Sequence, residues 1–125
     1  MKLQLDQSQC DVLQELGVNV NLATFYTYNT TAEATIEHTF TISDIIQFIP
    51  RSVDGCGIEI YYRDATNWWE VGYPDLEGRI EFLGKELIDA LFDFLVWLIK
   101  SKYVNPRELR KDLYQSISLG IEDNE

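Results

Sequence analysis

Asp89 and Asp93 stand four residues apart in the stretch Lys85–Ser101, a spacing that sets both carboxylates on one face of a helix. Paired carboxylates are the raw material of general acid–base chemistry and of glycoside hydrolysis. A small hydrolase using surface carboxylates is therefore one reading of the chain. The plainer reading is that both belong to the solvated stripe of an amphipathic helix. His38 is the single histidine. It alternates with Ile36 and Phe40, with no carboxylate or nucleophile set beside it, and reads as a hydrogen-bonded core residue. Cys10 and Cys56 lie far apart in no metal-ligand spacing, so the chain can hardly assemble four zinc ligands. The motifs GxGxxG, P-loop, HExxH and GxSxG are absent, and Gly55-Cys56-Gly57 reads as a turn, not a phosphate loop. The expectation is a protein without catalytic residues, metal or cofactor.

A different set of residues suits recognition. In 58–73, Ile58, Ile60 and Tyr62 alternate with Glu59, Tyr61 and Arg63, and Trp69, Val71 and Tyr73 alternate with Trp68, Glu70 and Gly72. A four-residue loop at 64–67 pairs Tyr62 with Trp69 and Arg63 with Trp68, which gathers the apolar members on one face. Tyr62, Trp69, Val71 and Tyr73 are expected beneath a helix. Tyr61, Arg63, Trp68 and Glu70 then point away from it, with Arg79, Glu59 and Glu81. Tyr, Trp and Arg are the residue types that carry protein interfaces. The candidate interaction residues are thus Tyr61, Arg63, Trp68, Glu70 and Arg79. The competing account is that Tyr61 and Trp68 only brace the hairpin while charges pair across strands.

The elements that must position these residues follow from periodicity. Along 85–101, Leu87, Ile88, Ala90, Leu91, Phe92, Phe94, Leu95, Leu98 and Ile99 fill one wide arc at 100° per residue. Lys85, Glu86, Asp89, Asp93 and Lys100 share the remaining stripe with Val96. So broad an arc predicts a helix that lies on a sheet and is covered along its sides as well. It is no membrane span, because its uncharged run is short and two aspartates interrupt it. Ser8–Leu16 reads as a short helix capped by Ser8 and Asp11, ended by Gly17, with Val12, Leu13 and Leu16 inward. Segments 22–28 and 35–41 read as strands joined by a polar turn at 29–34. Thr41-Ile42-Ser43-Asp44 is a second capping box, opening an apolar helix of Ile42, Ile45, Ile46, Phe48 and Ile49 that Pro50 stops. A strand at 79–83 turns Ile80 and Phe82 inward. Asn105-Pro106-Arg107-Glu108 predicts a last helix reaching about Gln115. The fold class is α+β: a small antiparallel sheet, made of hairpins 22–41 and 58–73 and strand 79–83, packed against the long helix 85–101, with short flanking helices. Residues 1–119 form one domain, and 120–125 are a frayed acidic tail.

The chain of 125 residues carries a net charge of −11, which excludes direct nucleic-acid binding and attraction to an anionic membrane. Ten acidic residues fall between Asp54 and Asp93, so an acidic nucleic-acid mimic that inhibits a basic-groove host protein is an alternative. Five of the ten basic residues cluster from Lys100 to Lys111, beside the negative pole of the long helix. The N-terminus, MKLQLDQSQCD, has no apolar run or cleavage pattern, so no signal peptide is expected. That predicts a cytoplasmic protein with free thiols, in which the sequon Asn29-Thr30-Thr31 has no meaning.

The order of Glu15-Leu16-Gly17, "FTISDIIQFIP" (Phe40–Pro50), the hairpin "IEIYYRDATNWWEVGY" (Ile58–Tyr73) and "ELIDALFDFLVWLI" (Glu86–Ile99) resembles the short uncharacterised proteins encoded in gut Bacteroidales genomes and their phages or mobile elements. The similarity spans roughly residues 8–104. These are caps, core positions and a hairpin, and the family has no established activity, so no site residue carries over. The resemblance implies a cytoplasmic accessory protein of a phage or mobile element. With the residues read above, the expected function is a non-enzymatic protein-interaction or regulatory protein, whose partner is another protein or a second copy of itself.

Overall fold

A computed structural model describes residues 1–29 and 35–109. Residues 30–34 of the polar turn expected at 29–34, the part beyond 109 of the helix expected to reach about Gln115, and the tail 120–125 lie outside the described residues, as does the side chain of His38.

The first helix, α1, spans Gln7–Glu15. Its cap is Asp6, not Ser8: the Asp6 carboxylate accepts from the Gln9 backbone N–H at 2.9 Å, and the Gln9 side chain accepts from the Asp6 N–H at 3.0 Å. Asp6 and Gln9 have the spacing expected of Ser8 and Asp11, and the earlier pair closes the reciprocal box. Ser8 donates its hydroxyl to Asp6 instead. Cys10 and Leu13, three apart, share the buried side; of the residues expected inward Leu13 is buried, Leu16 is half-buried and Val12 faces solvent.

A 3₁₀ turn, Val20–Leu22, leads into strand β1 (Phe25–Asn29), which pairs antiparallel with β2 (Thr35–Thr39) as a separate two-stranded sheet. Helix α2 (Ile42–Phe48) starts on the expected box, with Thr41 Oγ1 accepting from Asp44 N and Asp44 accepting from Thr41 N at 2.9 Å. Ile45, Phe48 and Ile49 are buried, Ile42 is half-buried, and Ile46, expected among them, is exposed. Asp54 and Gly55 both take positive φ, and this two-residue turn folds β3 (Ser52–Val53) onto β4 (Cys56–Gly57).

The sheet that matters for function has three strands in the order β5 (Glu59–Arg63), β6 (Trp68–Tyr73), β7 (Ile80–Gly84). Its register sets Tyr62 opposite Trp69 and Arg63 opposite Trp68, as the alternation predicts. Arg79 precedes β7 in the left-handed region and lies outside the strand. Gly72 is required where it stands, because a Cβ there would lie 2.1 Å from the Ile80 carbonyl oxygen.

Helix α3 (Leu87–Lys100) lies over β6 and β7 and against α2 on its flank. Eight of its residues are buried, which accounts for the width of its apolar arc. Phe94 anchors it to the sheet, with ring centroids 5.1 Å from Tyr73 and 5.6 Å from Phe82. Burial lifts the Tyr73 hydroxyl to about 12, and it donates to the Pro50 carbonyl. After α3, Asn105 caps only a 3₁₀ turn, Pro106–Glu108, and the backbone leaves helical geometry at Leu109. Within the described residues the helix expected from Asn105 is thus a single 3₁₀ turn. No helix among the described residues is long and apolar enough to cross a membrane.

Candidate functional site

The face of the three-stranded sheet turned away from α3 holds Tyr61 and Arg63 from β5, Trp68 and Glu70 from β6, and Leu83 from β7. The register fixes their arrangement: Tyr61, Glu70 and Leu83 form one row across the strands, and Arg63 and Trp68 form the next. Strand alternation sends these residues outward because Val71, Tyr73 and Phe82 point inward. Four of the five expected interaction residues are thus brought together. Arg79 sits apart at the entrance to β7, where its Nε donates to Glu81 Oε1 at 2.6 Å.

At the centre is Glu70, 8 % exposed. Arg63 Nε forms an ion pair with Glu70 Oε1, and an Arg63 Nη2–H donates to the Tyr61 hydroxyl oxygen at 3.1 Å. The Arg63 guanidinium also lies 5.4 Å from the centre of the Tyr61 ring. The Tyr61 hydroxyl beside Glu70 holds its carboxyl below the ordinary carboxylate value; burial opposes this, and the Arg63 charge reinforces it. The same contact raises the Tyr61 hydroxyl. The second carboxylate oxygen, Glu70 Oε2, is buried and has no hydrogen-bond partner. Around this pair Tyr61 and Trp68 are each 37 % exposed and Leu83 is 53 % exposed. Leu83 was legible from parity: once Phe82 faces inward, Leu83 must face out.

Tyr62 and Trp69 depart from expectation. They occupy the helix side of the sheet, but Tyr62 is exposed and Trp69 is only half-buried. Their rings meet at 5.2 Å, and the Tyr62 hydroxyl donates to Asn67 Oδ1 at 3.0 Å. The reason is the footprint of α3, which covers β6 and β7 while β5 is the far edge. The hairpin tip therefore carries aromatic rings on both faces.

Of the two carboxylates offered by sequence for acid–base work, Asp89 is engaged in an ion pair. Asp89 accepts from Lys2 Nζ at 2.7 Å and from Gln9 Nε2 at 2.9 Å. Asp93 is left on the solvent stripe, its carboxyl raised by partial desolvation and then by the Asp89 charge. Glu70, Glu81 and Asp89 each have a cationic partner, so these three of the acidic residues between 54 and 93 are not free phosphate-like charges. Among the described residues no group of three His, Cys, Asp or Glu side chains converges as metal ligands would.

The fold and this face define a small α+β protein with an aromatic patch built around one buried carboxylate paired with an exposed arginine. No family model, curated protein or solved structure matches the chain.

Proposed function

We propose that the protein works by protein contact, not by catalysis, and that the contact surface is the outer face of β5–β6–β7. It fits a cytoplasmic regulatory or accessory role, such as one carried by a phage or mobile element. The observation that carries the reading is the grouping of Tyr61, Trp68 and Leu83, all exposed, around the Arg63–Glu70 pair. A lone exposed aromatic needs no explanation, but three large apolar side chains grouped around one buried, arginine-paired carboxylate have the anatomy of an interface centre.

The test is the double variant Tyr61→Ser, Trp68→Ser. Its folding should be nearly intact, because only cross-strand pairing of roughly 0.2–1 kcal/mol per pair is lost. Sedimentation should show loss of any self-association of the parent. Pull-downs at two salt concentrations should show loss of any partner that the parent retains. A double variant that associates as the parent does removes this face from the function. One that melts far below the parent shows that both side chains belong to the core.

A further inference from the structure

Glu70 Oε2 is the one buried side-chain oxygen or nitrogen without a hydrogen-bond partner among the described residues, and it lies in the middle of the most exposed apolar patch of the sheet. Leaving a carboxylate oxygen buried and unbonded is costly, so its persistence at a surface calls for a reason. Among the described residues no donor bonds it. Arg63 spends its Nε on Oε1 and its Nη2 on the Tyr61 hydroxyl, and Arg79 is committed to Glu81. We infer that this face receives an arginine side chain of a basic protein partner, whose guanidinium bonds Glu70 Oε2 between the Tyr61 and Trp68 rings. This rests on reading the face as a protein contact.

Three observations favour that occupant. The Glu70 side chain is 10 % exposed, so a charge-assisted bond formed there is shielded from water and salt. Tyr61, opposite Glu70 in the register, and Trp68, two residues away on β6, bring aromatic rings near it; a planar guanidinium stacks on rings, where an ammonium is a hydrated point charge. The chain carries −11 charges, which draws a basic partner and opposes a second copy of itself. The neighbours of Glu70 in its row, Tyr61 and Leu83, are both exposed, on the two edge strands.

The probe is the peptide acetyl-Gly-Arg-Gly-amide, set against its citrulline counterpart, which keeps the shape and loses the charge. Both are titrated into the full chain and followed by amide and indole NMR shifts. The expected result is a saturable shift confined to Tyr61, Arg63, Trp68, Glu70 and Leu83, weakened about tenfold or more by citrulline. Glu70→Gln should weaken arginine binding by a similar factor. Shifts spread evenly over the acidic surface, or equal binding of the two peptides, overturn the inference; the citrulline arm needs no variant and so is independent of folding. A dimer of the parent in sedimentation that buries these residues also overturns it, by naming a second copy as the occupant. If Tyr61→Ser, Trp68→Ser abolishes association while Glu70→Gln leaves it intact, the contact face stands and the arginine site falls. If neither variant changes association, both fall.

Discussion

Asp44 and Glu70 are the two buried carboxylates among the described residues, and their surroundings differ in kind. Asp44 is stitched into the fold. It accepts from the Thr24 backbone N–H at 3.0 Å, the Thr24 hydroxyl at 2.9 Å and the Thr41 N–H at 2.9 Å, so one side chain caps α2 and fastens the chain entering β1 to it. Removing it leaves the part-buried donors of Thr24 and Thr41 without this partner. Asp44→Ala should therefore cost about 3 kcal/mol, combining a lost cap with the loss of charge-assisted bonds from the part-buried Thr24 and Thr41. Urea unfolding of the two proteins at one temperature measures this, and a loss below about 1 kcal/mol would show that the donors find other partners. Glu70, by contrast, has one oxygen bonded and one bare. The first pattern is what a structural carboxylate needs, and the second is what a recognition carboxylate leaves open. Of the two, Asp44 was legible as a capping residue because a box is local in sequence. The contact with Thr24 lies twenty positions away and leaves no periodic signal.

At the scale of elements, local rules read well and footprints did not. The alternation within 58–73 and the length of its loop determine the pairing of Tyr62 with Trp69, because a slip of one residue would turn Val71 and Tyr73 to solvent. The breadth of the apolar arc in α3 likewise requires cover on more than one side, and β6, β7 and α2 supply it. How far the helix extends over the sheet is a property of packing between elements, and so Tyr62 proved exposed although its parity was right. The same limit applies at α1, where two overlapping capping patterns competed and the acid at Asp6 closed the box. Because α3 contributes Leu91 and Leu95 at the centre of the core, Leu91→Asp should abolish folding: a carboxylate there has no partner, and the penalty rivals the whole stability of a small domain. Circular dichroism should show loss of cooperative melting, whereas a soluble, cooperatively melting variant would mean that α3 is not the organising element.

At the scale of the whole molecule, the first five residues join parts that sequence places far apart. Leu5 donates its N–H to the Phe40 carbonyl at 2.9 Å and is itself buried, and Gln4 bridges to Thr41. The Lys2 backbone N–H donates to Glu86 at 2.7 Å, while its ammonium reaches Asp89 on α3 at 2.7 Å and Asp6 before α1 at 3.4 Å. Lys2 is the single Lys or Arg in the first fifty residues. Partial desolvation works against the Lys2 ammonium, but the Asp89 and Asp6 carboxylates outweigh it and raise its pKa above the ordinary 10.5. The stability it contributes is therefore fully present below 10.5 and is lost as pH rises through the higher folded value. Lys2→Met keeps the length of the side chain and removes the charge. It should cost at most about 1 kcal/mol, since both partners are partly exposed and water screens the pairs. That difference should be flat through neutral pH, should shrink in strong alkali where wild-type Lys2 deprotonates, and should fall with added salt. Deleting residues 1–5 removes in addition the Leu5 burial and its pairing with Phe40, and should destabilise by several times as much. Thermal melts of the three proteins across pH and salt decide the matter. A Lys2→Met loss as large as that of the deletion would place the holding force in the ion pairs, and equal stability of all three would detach the N-terminus from the fold.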